Sequence, residues 1–221
     1  MSSRERHRVA VSLRVDVALG HGERRDGLAH DWYACFARWG ITPILVPNAA
    51  PASVSWLDEL SIDAVLLTGG NTPVTADVVP DDAAPERDAV EDALLAFARD
   101  RGLPLLGVCR GAQFLATRFG ARLIEADGHV ARDHAVTWRH GRHAHRATTN
   151  SFHGWALDSA SFPDALRILA TADDGTVEAF EHVDEAIAGV LWHPERPGSE
   201  DPVLAAFVDD FFAPRATSEV V

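Results

Sequence analysis

Cysteine is scarce in this 221-residue chain, and its scarcity argues against a fold built on disulfides. Only Cys35 and Cys109 occur, in segments of different character, whereas small secreted scaffolds depend on several paired cysteines. Cys35 shares a predicted helix with Trp32 and Phe36 and is assigned to the core. With 47% hydrophobic residues, the chain can bury a core without cross-links. We expect a protein of a reducing compartment, the cytoplasm.

Positive charge and long apolar runs are also in short supply. The 20 Lys and Arg residues face 33 Asp and Glu residues, a formal net charge of -13, whereas binding to nucleic-acid phosphates needs clustered basic residues. No run approaches the about 20 apolar residues that cross a bilayer. The apolar run before Arg14 is too short for the core of a signal peptide. We therefore expect neither nucleic acid nor membrane as a partner.

Short runs rich in Val, Ile and Leu alternate with amphipathic stretches through the first half of the chain. The runs predict strands buried on both faces, at residues 8–15, 41–48, 63–70 and 103–108. Residues 26–40 and 84–102 are predicted helices that end at glycines, and the second carries acidic residues near its start. This alternation predicts a parallel sheet with crossover helices, an α/β fold.

Shorter elements follow in the second half. The patterns predict strands and hairpins at residues 121–126, 134–138, 167–173, 176–182 and 186–193. A last helix is predicted over 203–212. No repeat, linker or shift in composition divides the sequence, so residues 1–221 are predicted to form a single domain with a loose tail over 213–221.

The segment LPLLGVCRGAQFL (103–115) places a cysteine where a predicted strand meets a predicted helix. Gly107 and Gly111 flank Cys109 at equal spacing, which is typical of a nucleophile elbow with cysteine in place of serine. The helix start favours a thiolate and offers the backbone N–H of Arg110 to an oxyanion. The alternative is a small buried cysteine that simply ends a strand.

A cysteine nucleophile needs a base, and the chain has 11 histidines. His193, in GVLWHPER, ends an apolar strand where Pro194 turns the chain, and Glu195 is placed to accept the second ring N–H. The alternative is a strand end with solvated side chains. The cysteine elbow favours the catalytic interpretation.

Other histidines are concentrated in GHVARDHAVTWRHGRHAH, but we predict no metal site there and no cofactor. Their spacing matches no closed tetrahedral site, and no second cysteine is near; the residues are His129, His134, His140, His143 and His145. A charged, exposed hairpin is the preferred interpretation. His153 differs, because it lies among small polar residues in a segment predicted to be irregular and to line a pocket.

Together these motifs resemble the class I glutamine amidotransferase superfamily. GVCRGAQ (107–113), HPE (193–195) and LLTGGN (66–71) resemble its nucleophile, His-Glu and glycine-turn motifs. GHVARDHAV (128–136) and NSFHGW (150–155) resemble later segments of its gamma-glutamyl hydrolase branch. The resemblance implies a flavodoxin-like three-layer α/β sandwich with a mostly parallel central sheet and a Cys-His-Glu triad.

The resemblance also implies roles. Cys109 would be the nucleophile, His193 the base and then the acid, and Glu195 its orienting partner. Backbone N–H groups of Gly70 and Arg110 would form the oxyanion hole. The residues that would hold a small γ-glutamyl substrate are Gln113, Asn150, Ser151, Phe152 and His153. The implied reaction cleaves a C–N or P–N bond of a γ-glutamyl amide through a glutamyl thioester and releases glutamate.

The leaving group stays open at this point. Residues 22–48, the short GGN turn and HPER resemble the small gamma-glutamyl-CDP-amidate hydrolases, in which case Arg24, Arg25 or Arg196 would meet a phosphate-bearing group. GGNTPVTADVVP departs from the longer GG-P-D-x-x-P loop of hydrolases for gamma-glutamyl-GABA or folate polyglutamate.

Three further alternatives stay open. One is a hydrolase of the gamma-glutamyl-GABA type, and another is a glutaminase subunit that delivers ammonia to a partner synthase. The third is a thiol sensor on the same fold, which would need neither His193 nor Glu195. These alternatives allow two protein partners: a synthase, or a second copy of this chain in a homodimer.

Overall fold

An 11-stranded mixed sheet forms the middle layer of the computed structural model, which describes residues 7–48, 54–77, 79–140 and 143–212. The predicted loose tail over 213–221 lies outside these residues. Five neighbouring strands are parallel, in the spatial order β4 (Ile41–Val46), β1 (His7–Ser12), β5 (Ala64–Leu67), β6 (Leu105–Val108) and β13 (Ile187–Val190). Residues of β5, β6 and β13 are buried throughout, as continuous apolar runs predict for a sheet covered on both faces.

Antiparallel strands continue the sheet beyond β13. They are β12 (Val177–His182), β11 (Leu166–Ala172), β8 (Val130–His140) and β9 (His143–Phe152). A short pair, β7 (Leu123–Glu125) and β10 (Trp155–Leu157), joins the sheet at β12. The sheet therefore has a parallel half, whose strands are joined by crossovers, and an antiparallel half made of hairpins.

Helices cover both faces of the sheet. The helices α2 (Pro85–Arg101) and α3 (Arg110–Arg118) share one buried apolar cluster, and α1 (Asp31–Trp39) and α4 (Pro202–Phe211) share the other. Because successive strand residues point to opposite faces, Ala10 of β1 packs in the first cluster and Val11 in the second. This arrangement confirms the predicted three-layer α/β sandwich.

The strand predicted over 8–15 is divided between β1 and the start of a second strand at Arg14, and two other predicted segments differ in kind. The helix predicted over 26–40 begins only at Asp31, because Arg24–Gly27 form β3, which pairs antiparallel with β2 (Arg14–Val17). NSFHGW (150–155), predicted as irregular, contains the end of β9 and the start of β10. In both places the backbone finds its hydrogen-bond partners on a distant strand, which local sequence patterns do not reveal.

The described part of the chain contains no helix that is long and apolar enough to cross a membrane.

Candidate active site

Cys109 occupies the turn between β6 and α3, as predicted for a nucleophile elbow. Its backbone has φ 51 and ψ −108, a positive φ that non-glycine residues adopt at a cost of about 1–3 kcal/mol. Two backbone bonds hold the turn: the Cys109 N–H donates to Val190 O (2.7 Å), and Gln113 N–H donates to Cys109 O (3.0 Å). The strain is therefore fixed by the adjacent strand and helix.

The two glycines beside Cys109 are required by close backbone approaches. A Cβ at Gly107 would lie 2.6 Å from Ala112 N, and one at Gly111 would overlap the carbonyl of Leu67. Neither contact can be relieved by moving a flexible side chain. The spacing that marked the elbow in the sequence thus has a packing cause.

His193 lies beside Cys109 and is held by Glu195. The Nδ1 atom of His193 is 2.6 Å from Glu195 Oε1, and both residues are buried. A Cβ at Gly69 would lie 2.7 Å from His193 Cε1 and 3.6 Å from Cys109 Cβ. Gly69 therefore leaves the space in which the thiol and imidazole side chains face each other.

The electrostatic environment favours a protonated His193. Burial opposes protonation, but the neighbouring Cys109 and Glu195 outweigh it and raise the pKa of the imidazole to about 9. At neutral pH the ring therefore holds a proton, which suits both a thiolate–imidazolium pair and proton donation to a leaving nitrogen.

The glycine turn that was predicted to supply an oxyanion donor is fixed by Arg87 of α2. The Arg87 guanidinium donates to Thr68 O (2.6 Å) and Gly69 O (3.0 Å), and it also contacts Gly70 O. Gly70 itself has φ +84. The other predicted donor, the N–H of Arg110, is the first of α3 and has no acceptor within the helix.

A buried network of charges joins these two predicted donors. Arg87 Nε donates to Glu91 Oε1 (2.9 Å), while the Arg110 side chain contacts both Glu91 and Asp88. The second Asp88 oxygen accepts the Val74 N–H (3.0 Å). All four charged side chains are buried. Their charges are therefore compensated by one another and not by water.

Sequence reasoning missed this network. The acidic residues near the start of α2 were noted only as a feature of a helix start, but Asp88 and Glu91 face inward and pair with arginines. The i,i+4 spacing of Arg87 and Glu91 was a usable signal for the pair. Nothing in the local pattern indicated that the pair would be buried.

The structure describes each residue that was predicted to contact substrate. Asn150 receives the His193 N–H (2.8 Å) and donates to the carbonyls of His193 (2.9 Å) and Pro197 (3.0 Å). Gln113 donates to Trp155 O (2.7 Å), and Ser151 donates to His129 O (2.6 Å). These bonds place Asn150 as a support of the His193 turn.

Two predicted residues lie against each other at the edge of His193. The Phe152 ring meets the His193 ring edge-on, with centroids 5.5 Å apart, and the Arg196 guanidinium lies 4.4 Å from the centre of the Phe152 ring. Phe152 is 38% exposed, so this pair can form a wall of an open cleft.

Arg14 was not predicted as a site residue, yet it lines the narrow cleft beside His193. This cleft, about 20 Å³ in volume, also includes Gly69, Gly70 and Arg196. Arg24 and Arg25 are not among the described lining residues of this cleft; Arg24 bonds Glu86 (2.5 Å) and Arg25 bonds Glu23 (2.8 Å), while Arg14 pairs with Asp16 (2.8 Å). A larger groove of about 650 Å³ lies on the far side of Glu195, and neither Cys109 nor His193 is among its described lining residues.

Cys35 has a supporting role in the core. Its thiol donates to Pro194 O (3.4 Å), and burial raises its pKa to about 11. It therefore stays protonated and braces the turn that carries His193 and Glu195.

Two γ-glutamyl hydrolases are similar to this chain in sequence. The gamma-glutamyl-CDP-amidate hydrolase of Campylobacter jejuni is 31% identical over 193 residues, which cover 85% of this chain and 90% of the relative. The gamma-glutamyl-gamma-aminobutyrate hydrolase of Escherichia coli O157:H7 is 29% identical over 194 residues, which cover 73% of this chain and 75% of the relative.

Solved structures share the fold. A GMP synthase subunit from Thermoplasma acidophilum matches with a TM-score of 0.67 and 22% identity, over 95% of this chain and 94% of that one. A glutamine amidotransferase from Thermotoga maritima matches with a TM-score of 0.63 and 16% identity, over 86% and 77%. The family model described as Peptidase C26 matches residues 11–195. The chain therefore belongs to the Peptidase C26 family, on the class I glutamine amidotransferase fold.

Proposed function

We propose that this protein is a cysteine hydrolase that cleaves γ-glutamyl amides through a glutamyl thioester. The observation that supports this most directly is the arrangement around Gly69. There the His193 ring, held by Glu195 at 2.6 Å, shares the same small space with Cys109 at the elbow. A nucleophile, a base and an orienting carboxylate in contact are the parts that acyl transfer needs.

The reaction follows from these positions. The Cys109 thiolate attacks the γ-carbonyl carbon, the C–S bond forms, and the charge moves to the carbonyl oxygen. His193 then gives its proton to the departing nitrogen as the C–N bond breaks, which leaves a glutamyl thioester. Water, deprotonated by His193, hydrolyses the thioester and releases glutamate.

The N–H groups of Gly70 and Arg110 would receive the negative oxygen. A single donor of this kind is typically worth about 10²–10³ in kcat. The Arg87 network supports the assignment, because it fixes the carbonyls of the Gly69–Gly70 turn and the side chain of Arg110 at the same time.

For the leaving group we propose a phosphate-bearing amide of the gamma-glutamyl-CDP-amidate type. The similarity to the Campylobacter jejuni enzyme over most of both chains supports this class. Arg14 and Arg196 both line the cleft beside His193, and a guanidinium is well suited to phosphate oxygens. These two arginines replace Arg24 and Arg25 in our proposal as the preferred contacts.

Substrate preference tests the proposal. Glutamate release would be measured with four substrates: a nucleotide whose phosphoramidate nitrogen carries a γ-glutamyl group, γ-glutamyl-GABA, a γ-polyglutamate and glutamine. The Cys109→Ala variant serves as the blank. We expect the highest kcat/KM on the phosphoramidate and trapping of the acyl enzyme by hydroxylamine as γ-glutamyl hydroxamate. No release above the Cys109→Ala blank on any substrate would refute a γ-glutamyl hydrolase.

A glutaminase working with a synthase is the second candidate. The carbamoyl phosphate synthase small chain of Vibrio vulnificus is 32% identical over 169 residues, which cover 73% of this chain and 41% of that one. If glutamine were the preferred substrate of the panel, and if its hydrolysis accelerated in the presence of an ammonia-accepting synthase, this candidate would replace the phosphoramidate hydrolase.

A further inference from the structure

Four side chains that take no part in the proposed reaction steps meet inside the antiparallel half of the sheet. One of them, His153, was predicted to hold substrate, but its side chain is buried against Glu178. His129 precedes β8, His134 lies in β8, His153 follows β9, and Glu178 lies in β12. We call these four residues the histidine–glutamate cluster. Glu178 is 0% exposed, while His129 and His153 are 5% and 3% exposed. The prediction of an exposed hairpin is wrong for His129, which is buried, because the residues that cover it come from separate segments of the chain.

The cluster holds an unusual concentration of buried polar atoms that form ion pairs but no hydrogen bonds among the residues that the structure describes. Within the described residues, no hydrogen bond reaches either carboxylate oxygen of Glu178 or the inward ring nitrogens of the three histidines, His129 Nδ1, His134 Nε2 and His153 Nε2. A buried ionised carboxylate without a hydrogen bond costs several kcal/mol. Five such atoms in one buried cluster point to a ligand that completes the site.

The spacing of these atoms fits a metal ion better than hydrogen bonds. Glu178 Oε1 lies 3.6 Å from His129 Nδ1 and 3.5 Å from His153 Nε2, and Oε2 lies 3.4 Å from His134 Nε2. These distances exceed those of good N–H···O bonds. Ligand atoms at 2.0–2.1 Å from a tetrahedral Zn²⁺ are about 3.4 Å apart. The ligand atoms of His129, His134 and Glu178 all lie within 4.8 Å of one another.

In two of the rings, the nitrogen that points away from Glu178 already has a partner outside the cluster. This contact orients the other nitrogen of each ring toward Glu178. His129 Nε2 lies 2.8 Å from Asp174 Oδ2, and His153 Nδ1 lies 2.9 Å from Trp155 O. Since carboxylate and carbonyl oxygens only accept, both outward nitrogens carry the proton. The carboxylates of Glu178 and Asp174 outweigh burial and raise the pKa of His129, so a metal ion would displace the proton from its inward nitrogen and bind the lone pair, as in carboxylate–histidine–metal arrangements.

We propose that His129, His134, His153 and Glu178 form a closed site for a divalent transition metal, with Zn²⁺ as the expected ion. Three imidazoles and one carboxylate are ligands that Zn²⁺ accepts. Because the protein would fill all four positions, the ion would be structural rather than catalytic.

Such a site would brace the catalytic turn from behind. The Ser151 hydroxyl donates to His129 O (2.6 Å), and the neighbouring Asn150 holds the backbone of His193. The Leu191 N–H donates to Glu178 O (2.8 Å), two residues before His193. The metal would fix the strands from which these supports come, so its loss would loosen His193 without removing any group that reacts.

Metal content and thermal stability test the site. The full chain, purified without a histidine tag, is expected to carry one Zn²⁺ per chain after dialysis, measured by plasma mass spectrometry. Chelator-treated protein should regain Tm when Zn²⁺ is added, and Co²⁺ should give the intense visible bands of a four-coordinate ion. Glu178→Gln and His134→Gln should lose the metal. Asp174→Asn should bind about 10- to 100-fold more weakly.

Two controls separate this site from others. His143→Gln changes an exposed histidine of the same hairpin and should keep the metal. Cys109→Ala should also keep it, which excludes binding at the catalytic thiol. If Glu178→Gln does not fold, the titrations of chelator-treated wild type decide. Absence of a Tm rise with Zn²⁺, or equal metal in Glu178→Gln and His143→Gln, would overturn the site, whatever the outcome of the glutamate-release assays.

Discussion

The two halves of the sheet each bury a cluster of ionisable groups, and the two clusters are built differently. In the parallel half, Cys109 and His193 follow the carboxyl ends of β6 and β13, and the His193–Glu195 contact is 2.6 Å. In the antiparallel half, Glu178 meets three imidazoles at 3.4–3.6 Å. The first distance suits a shared proton, and the second suits an ion between the groups. The two proposals therefore assign proton chemistry to the first cluster and metal binding to the second.

Asn150 joins the two halves. It lies at the end of β9 in the antiparallel half, and its amide group holds the backbone on both sides of Pro194 in the parallel half. Variants that disable the cluster in one half test whether the cluster in the other half still functions.

The largest effect is expected from Cys109→Ala. Loss of the nucleophile should reduce kcat for glutamate release by at least about 10³-fold, because neither His193 nor the oxyanion donors can replace the thioester step. Circular dichroism should show an intact fold, and metal content should be unchanged. A variant that kept substantial turnover would contradict the role of Cys109.

Arg87→Met should cause the largest loss of stability in the parallel half. It leaves Glu91 with Arg110 as its remaining described cation and removes the guanidinium from the carbonyls of the glycine turn, which should cost about 3–5 kcal/mol of unfolding free energy in urea titrations. Arg146→Met, which removes an exposed pair with Asp173, is the matched control and should change stability little. Equal effects in the two variants would show that burial of the network is unimportant.

Asn150→Ala tests the link between the halves. The variant leaves the His193 N–H and several carbonyls unpaired, which should cost about 1–3 kcal/mol. It should also lower kcat more than it changes KM, since Asn150 positions His193 rather than the substrate. Thr148→Ala, at an exposed position of the same strand, is the control. A rise in KM alone would instead support the predicted substrate contact.

Glu195→Gln should change the pH dependence of kcat, and of these variants it should change the free energy of unfolding least. Glu195 helps to raise the pKa of His193 to about 9, so its neutralisation should lower that pKa and move the alkaline limb of kcat to lower pH. The sign also applies to folding: a histidine with a raised pKa contributes stability below its ordinary pKa of about 6.5, and that contribution fades as pH rises toward about 9. An alkaline limb that did not move would argue against the His193–Glu195 pair.

Much of the parallel half was predictable because its signals are local. The glycines around Cys109 lie two residues away on either side, and Glu195 follows His193 by two residues. Buried parallel strands also show as continuous apolar runs, which are recognisable in a single sequence. The start of α1 was predicted wrongly because Arg24–Gly27 pair with β2, a contact that local propensity does not encode.

The sequence by itself determined the α/β alternation, the cysteine elbow and the His-Glu motif, because each depends on residues within a few positions of one another. Tertiary structure decided which buried charges meet. Asp88 and Glu91 reach Arg110 from another helix, and Glu178 comes some 40 residues after His134 of β8, from a strand two places away in the sheet. Compensation of buried charge is a property of neighbours in space, so only the folded chain could bring His129, His134, His153 and Glu178 to one point.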